Sequence, residues 1–197
     1  ILAAPDLEPT FPIARAMRHY ARGVALAAKG QPAAARSEQQ AFLVAKAAIP
    51  AEAQFGNNTA AGIMAVAEPL LEGEIAFREG KTAPAIAALR KAAAAEDALR
   101  YDEPPDWIHP VRHALGAVLV QAGRGAEAER VYREDLAKLP NNGWALFGLE
   151  RSLRMQKRHS DAEAVQREVA ASWARADFKL DSSCACQPWG VKKTARR

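Results

Sequence analysis

The sequence predicts an all-α fold, a right-handed superhelical solenoid of about four helix–turn–helix repeats. Three observations carry that expectation. Leu115, Leu119 and Ala128 return as Leu149, Leu153 and Ala162, each 34 residues further on, and a fixed period of that length marks a stack of helical hairpins. A triplet of small residues, Gly23, Gly30 and Ala35, recurs as Gly73, Gly80 and Ala85 and again as Gly116, Gly123 and Ala128. Alanine is abundant while aromatic residues make up only 7% of the chain, a composition that favours helix.

Taken in order, residues 1–12 hold three prolines and form an extended lead-in to a repeat domain over 13–181. A helical pattern runs from Ile13 to about Lys29 and stops at Gly30, which suits a left-handed cap. The second helix starts at Gln31 or Pro32, with proline well placed in a first turn, and ends near Ile49-Pro50. Within each pair, a small residue on the first helix and an alanine on the second should let the backbones approach, and the middle glycine turns the chain between them. The fourth unit keeps only Ala162 of the triplet, with Glu150 and Lys157 at the glycine places.

Spacing between units shortens from 50 to 43 to 34 residues, so the first two junctions carry insertions. The first covers about Ala51–Thr59, where Asn58 or Thr59 could cap the following helix. That helix meets Pro69, which must kink it or restart it. The second insertion, about Asp97–Pro110, is a loop by virtue of its prolines, yet it contains Tyr101 and Trp107, whose rings should pack down on the repeats. The pattern fades near Leu180. Residues 182–197 read as a flexible tail with a Cys-x-Cys pair.

Composition narrows the function classes. The net charge of +4 is accounted for by Lys192, Lys193, Arg196 and Arg197 in the tail, which leaves residues 1–181 balanced. A neutral body offers no electrostatic footprint for nucleic acid, and the basic end reads as a solvated terminus. With no run of about 18 apolar residues, nothing is expected to enter a membrane. The chain begins at Ile1 without a secretory signal pattern, so it reads as a processed chain or fragment, with a leaning toward the cytoplasm.

The third unit carries the family resemblance. It supplies Leu115-Gly116, Ala128, Tyr132 and Pro140 at the places where tetratricopeptide repeats (TPR) have Leu-Gly, Ala, Phe and Pro. It departs from that pattern with Arg112 at the tryptophan place and Leu119 at the tyrosine place. The chain as a whole resembles the C-terminal part of larger bacterial TPR proteins. The segments that carry this are Gly56-Asn57-Asn58-Thr59-Ala60, Glu96-Asp97-Ala98-Leu99 and Tyr101–Trp107, followed by Val131–Leu136 and Asn142–Leu146. The resemblance implies a TPR-like scaffold and carries over no activity.

No phosphate-cradling loop, nucleophile elbow or metalloprotease helix is present, so no catalytic residue, enzyme activity or cofactor is expected. Cys184-x-Cys186 is the sharpest local feature, able to hold a soft metal or to cycle with a disulfide, although a structural zinc site needs four ligands. His109 and His113 stand at metal-ligand spacing, but His113 falls at a groove-facing place where an ordinary polar contact suffices. Asp102, Glu103 and Asp106 read as structural acids of a loop near a helix N-terminus rather than an acid–base pair.

The groove is the better candidate site. In TPR-like repeats the first helix of each pair lines the concave face. The third unit's register projects Tyr20 and Val24, then Leu70, Glu74, Phe77 and Arg78, onto that face. His113 and Gln121 come next, then Trp144, Phe147, Arg151 and Arg154. Two aromatics beside two arginines suit an extended peptide with an apolar side chain and a carboxylate; equally, Trp144 and Phe147 could close the end of the stack or pack under the tail. The expected function is binding of a protein or peptide partner in the groove. The alternative is metal or thiol-redox handling at the cysteines.

Overall fold

A computed structural model describes residues 1–5 and 10–187. The described residues are almost wholly helical, as the sequence predicts, with eight helices and one hairpin of two-residue strands. They fall into two compact units, one from Ile1 to Val111 and one from Arg112 onward.

In the first unit, α1 (Pro12–Ala28) pairs with α2 (Pro32–Ala47), and α3 (Ala60–Arg78) with α4 (Thr82–Asp97). Both pairs turn on a glycine in the left-handed region, Gly30 at φ 73° and Gly80 at φ 83°. There the chain reverses through a bond from the next residue's N–H to a carbonyl five back, Gln31 to Leu26 and Lys81 to Ala76, each 2.9 Å. Phe42, Leu71, Ile75 and Leu89 fill the core, and Ala35 and Ala85 are fully buried. The small residues make room as expected, but not always for a backbone. A side chain at Gly73 would meet Leu89 and the carbonyl of Ala85, whereas one at Gly23 would strike Leu71 of α3.

Pro69 lies buried inside α3, which runs on to Arg78 without restarting. Proline removes the N–H that the carbonyl of Ala65 would have received. Ala65 is exposed, so water can take that place. Thr59 is the N-cap, its Oγ1 accepting from Gly62 N at 3.1 Å.

The two insertions hold each other. Strands β1 (Gln54–Phe55) and β2 (Asn58–Thr59) pair antiparallel around Gly56-Asn57. Buried Asn58 then accepts from Arg100 N at 2.7 Å and donates to the carbonyl of Arg100 at 3.1 Å and to Asp106 Oδ2 at 2.8 Å. Gly56, at φ 58°, leaves the space that the Asp106 carboxylate fills. Trp107 is buried as expected, but Tyr101 is 79% exposed; its backbone, not its ring, is what meets Asn57.

The second unit contains α5 from its second residue (the helix spans Val111–Gln121), then α6 (Gly125–Lys138), α7 (Gly143–Met155) and α8 (His159–Ser172). Gly123 turns the first pair at φ 77°, and Lys157 repeats that conformation at φ 60° with the same reversal, Arg158 N to the Leu153 carbonyl at 3.0 Å. Tyr132, fully buried, sits where side chains at Gly116 on α5 and Gly148 on α7 would strike its ring. Those two glycines give up their side chains so that a phenol can stand between the helices.

Candidate peptide-binding face

On the first unit the projected groove residues converge, though not on an open surface. Tyr20 on α1 is covered by Trp107, ring centroids 5.5 Å apart and nearly perpendicular. Leu70 and Glu74 are buried; Val24, Phe77 and Arg78 are half-buried. Burial, reinforced by the Glu74 charge, pushes the Tyr20 hydroxyl far above the usual tyrosine range, and burial lowers the Arg78 guanidinium against the pull of Glu74. The second insertion thus supplies the lid that its tryptophan suggested.

The loop acids are structural. Asp106 serves Asn58, and Asp102 accepts from the N–H of Glu103 at 2.9 Å. The start of α5 is capped by Glu96 instead, whose carboxylate oxygens lie 3.1 and 3.2 Å from Val111 N. His109 is exposed in the loop.

On the second unit, the N-cap of α7, Asn142, accepts from Trp144 N at 3.0 Å and places its Nδ2 3.0 Å from His113 Nε2. The same ring nitrogen is 3.2 Å from Asp135 Oδ2 on α6. The His113 ring is therefore a buried joint between α5, α6 and the start of α7. Trp144 packs perpendicular to Trp173 at 5.2 Å and beside Phe178 at 6.5 Å, so that ring closes the end of the unit. Phe147 remains half-buried with the Arg151 guanidinium 5.5 Å from its centroid. Arg154 pairs with Glu150 and donates to Gln166 Oε1 at 2.9 Å. Of the four α7 residues, Phe147 and exposed Arg151 form the open part.

The tail is described as far as Gln187. Residues 182–187 are packed, with Ser182, Ser183 and Gln187 fully buried. Tyr132 O–H donates to Ser183 Oγ at 2.6 Å, and Ser183 O–H in turn donates to the His113 carbonyl at 3.1 Å. Gln121 Nε2 donates to the Gln187 carbonyl at 3.4 Å. Burial pushes the Tyr132 hydroxyl well above the usual tyrosine range, outweighing its bond to Ser183, so it stays a donor. Cys184 and Cys186 are joined in a disulfide; bonded this way, they offer no thiolate to a metal. The basic residues from Lys192 onward lie outside the described residues.

The 182–187 contacts escaped sequence reasoning because Tyr132 matched a repeat place that core packing already explains. Ser182-Ser183 gave only composition as a signal.

A comparison with solved structures gives one likeness to report. The crystal structure of MamA protein aligns with a TM-score of 0.53 at 15% identity, covering 84% of this chain and 79% of that one. The fold is TPR-like. No protein-family model matches the chain, and no curated protein matches it in sequence. Among the described residues, no helix is long and apolar enough to cross a membrane.

Proposed function

We propose that the protein is a non-enzymatic scaffold that binds an extended peptide or protein segment on the α5–α7 face of its second unit. One observation supports this above the others. That face already holds a short turned piece of the chain, residues 182–187, through hydroxyl and backbone bonds to His113, Tyr132 and Gln121. On α7, Phe147 and Arg151 offer an apolar contact and a cation, the combination that receives a side chain and a carboxylate. On the first unit, Tyr20, Glu74, Phe77 and Arg78 belong to the lidded cluster and hold the fold rather than the partner.

Selection from a random peptide library on the full chain tests the reading. Enriched peptides should pair an apolar residue with an acid and bind more weakly as salt rises. Arg151→Glu should weaken them about tenfold, about 1.4 kcal/mol, without lowering the melting temperature. Undiminished binding in that variant would remove Arg151 from the site, and a library that enriches nothing would remove the function.

A second reading, thiol-redox or metal handling, draws on the Cys184–Cys186 disulfide. Elemental analysis of protein purified without chelator, with thiol counting before and after reduction, decides it.

A further inference from the structure

Three side-chain and backbone groups outside any repeat consensus role converge on the second unit: the Tyr132 hydroxyl, the His113 carbonyl and the Gln121 amide. Together they make a seat of defined chemistry. A phenol O–H points at a position 2.6 Å away, and a helix carbonyl lies 3.1 Å from that same position. An atom there must accept one hydrogen bond and donate another. An aliphatic hydroxyl does both, whereas a carboxylate or a backbone carbonyl can only accept. Ser183 supplies that hydroxyl, and the backbone of its segment is then received by Gln121 four residues on, at the carbonyl of Gln187.

The occupant is shaped by its own internal bonds. Ser182 Oγ accepts from Cys184 N at 3.2 Å, and Gln187 N donates to the Cys184 carbonyl at 2.9 Å. The disulfide between Cys184 and Cys186 closes the bend between these two bonds. A cross-link lowers the number of undocked shapes that compete with the docked one. Opening it restores that freedom and weakens docking. Both cysteines are half-buried rather than sealed, so a small reductant can reach them.

We infer that the Tyr132–His113–Gln121 seat is a recognition site for a peptide segment bearing a serine or threonine hydroxyl, closed in cis by residues 182–187 and opened when the Cys184–Cys186 disulfide is reduced. The inference rests on the peptide-binding reading above and names the chemistry and the regulation of the same face. The reductant is a dithiol. Its thiolate attacks one cysteine sulfur, the protein S–S bond breaks, and the leaving thiolate takes up a proton. The second thiol of the reductant then displaces the first cysteine, which is protonated in turn. Two electrons and two protons pass to the protein, and the dithiol leaves as a disulfide.

The test follows amide hydrogen exchange across 182–187 in the full chain, with and without dithiothreitol, alongside affinity for a library-selected peptide that contains serine. Reduction should speed exchange at Cys184 and Gln187 at least tenfold and tighten the peptide at least fivefold. Replacing that peptide's serine by alanine should abolish the gain. A Cys184→Ser, Cys186→Ser double variant should behave as reduced protein whatever the reagent; if it misfolds, the wild-type pair of conditions still decides. Exchange that is identical in the two redox states overturns the gate, while peptide binding in both states leaves the scaffold function standing. Redox-dependent exchange with no peptide bound in either state supports the release step and overturns the recognition site. A gain that survives serine-to-alanine replacement overturns the hydroxyl requirement.

Discussion

Tyr132 shows how much a single residue can organise in this fold. Its ring stands between α5 and α7 only because Gly116 and Gly148 present no side chain, and its hydroxyl leads the bond chain through Ser183. Gly148→Ala drives a methyl into that ring, and overpacking of this kind costs about 1–3 kcal/mol; urea denaturation should show a loss in that range. Lys157 makes the opposite case. It holds the left-handed turn that glycine holds at positions 30, 80 and 123. A non-glycine residue pays about 1–2 kcal/mol to sit there, while glycine costs more unfolded-state entropy. Lys157→Gly should therefore raise stability by about 0.5–1 kcal/mol, visible as a higher melting temperature.

At the scale of elements, α2 and α3 are stitched by ions. Arg36 reaches Glu79 through two bonds of 2.8 and 2.9 Å and also pairs with Glu72, which Gln39 supports. The Arg36 bond, helped by Lys81, holds the Glu79 carboxyl at about 2, below its unfolded range of about 4.3. A carboxylate lowered on folding stabilises above its unfolded value, and that contribution fades as pH falls toward the folded one. Stability should drop between about pH 4.5 and 2. In a Glu79→Gln variant the deficit at neutral pH should shrink over that same window in a series of urea titrations. Element positions themselves were legible: glycine turns, first-turn prolines and the Thr59 cap all signal locally. Pro69 was not, because whether a helix survives proline depends on what covers the orphaned carbonyl, which is a matter of tertiary environment.

At the scale of the molecule, the small-residue period announced the TPR-like fold, since backbone spacing and sequence spacing are the same thing in a hairpin stack. The candidate face was legible only in part. Register pointed to α5 and α7, but it could not see that Trp144 would pack on Trp173, or that His113 would be locked by Asp135 and Asn142. Those outcomes depend on side chains of neighbouring elements, which register does not describe. Two of the segments that carry the family resemblance, Gly56–Ala60 and Tyr101–Trp107, turn out to be partners, and their joint at Asn58 has a further consequence. Asn58 grips the chain on both sides of exposed Tyr101, at Arg100 before it and at Asp106 after it. A protease that cuts after an exposed aromatic residue would sever the backbone there without freeing either end. The nicked protein should elute as one species from a native sizing column and part into two fragments only in denaturant, so the loop would behave as a clasp that stays shut after its band is cut.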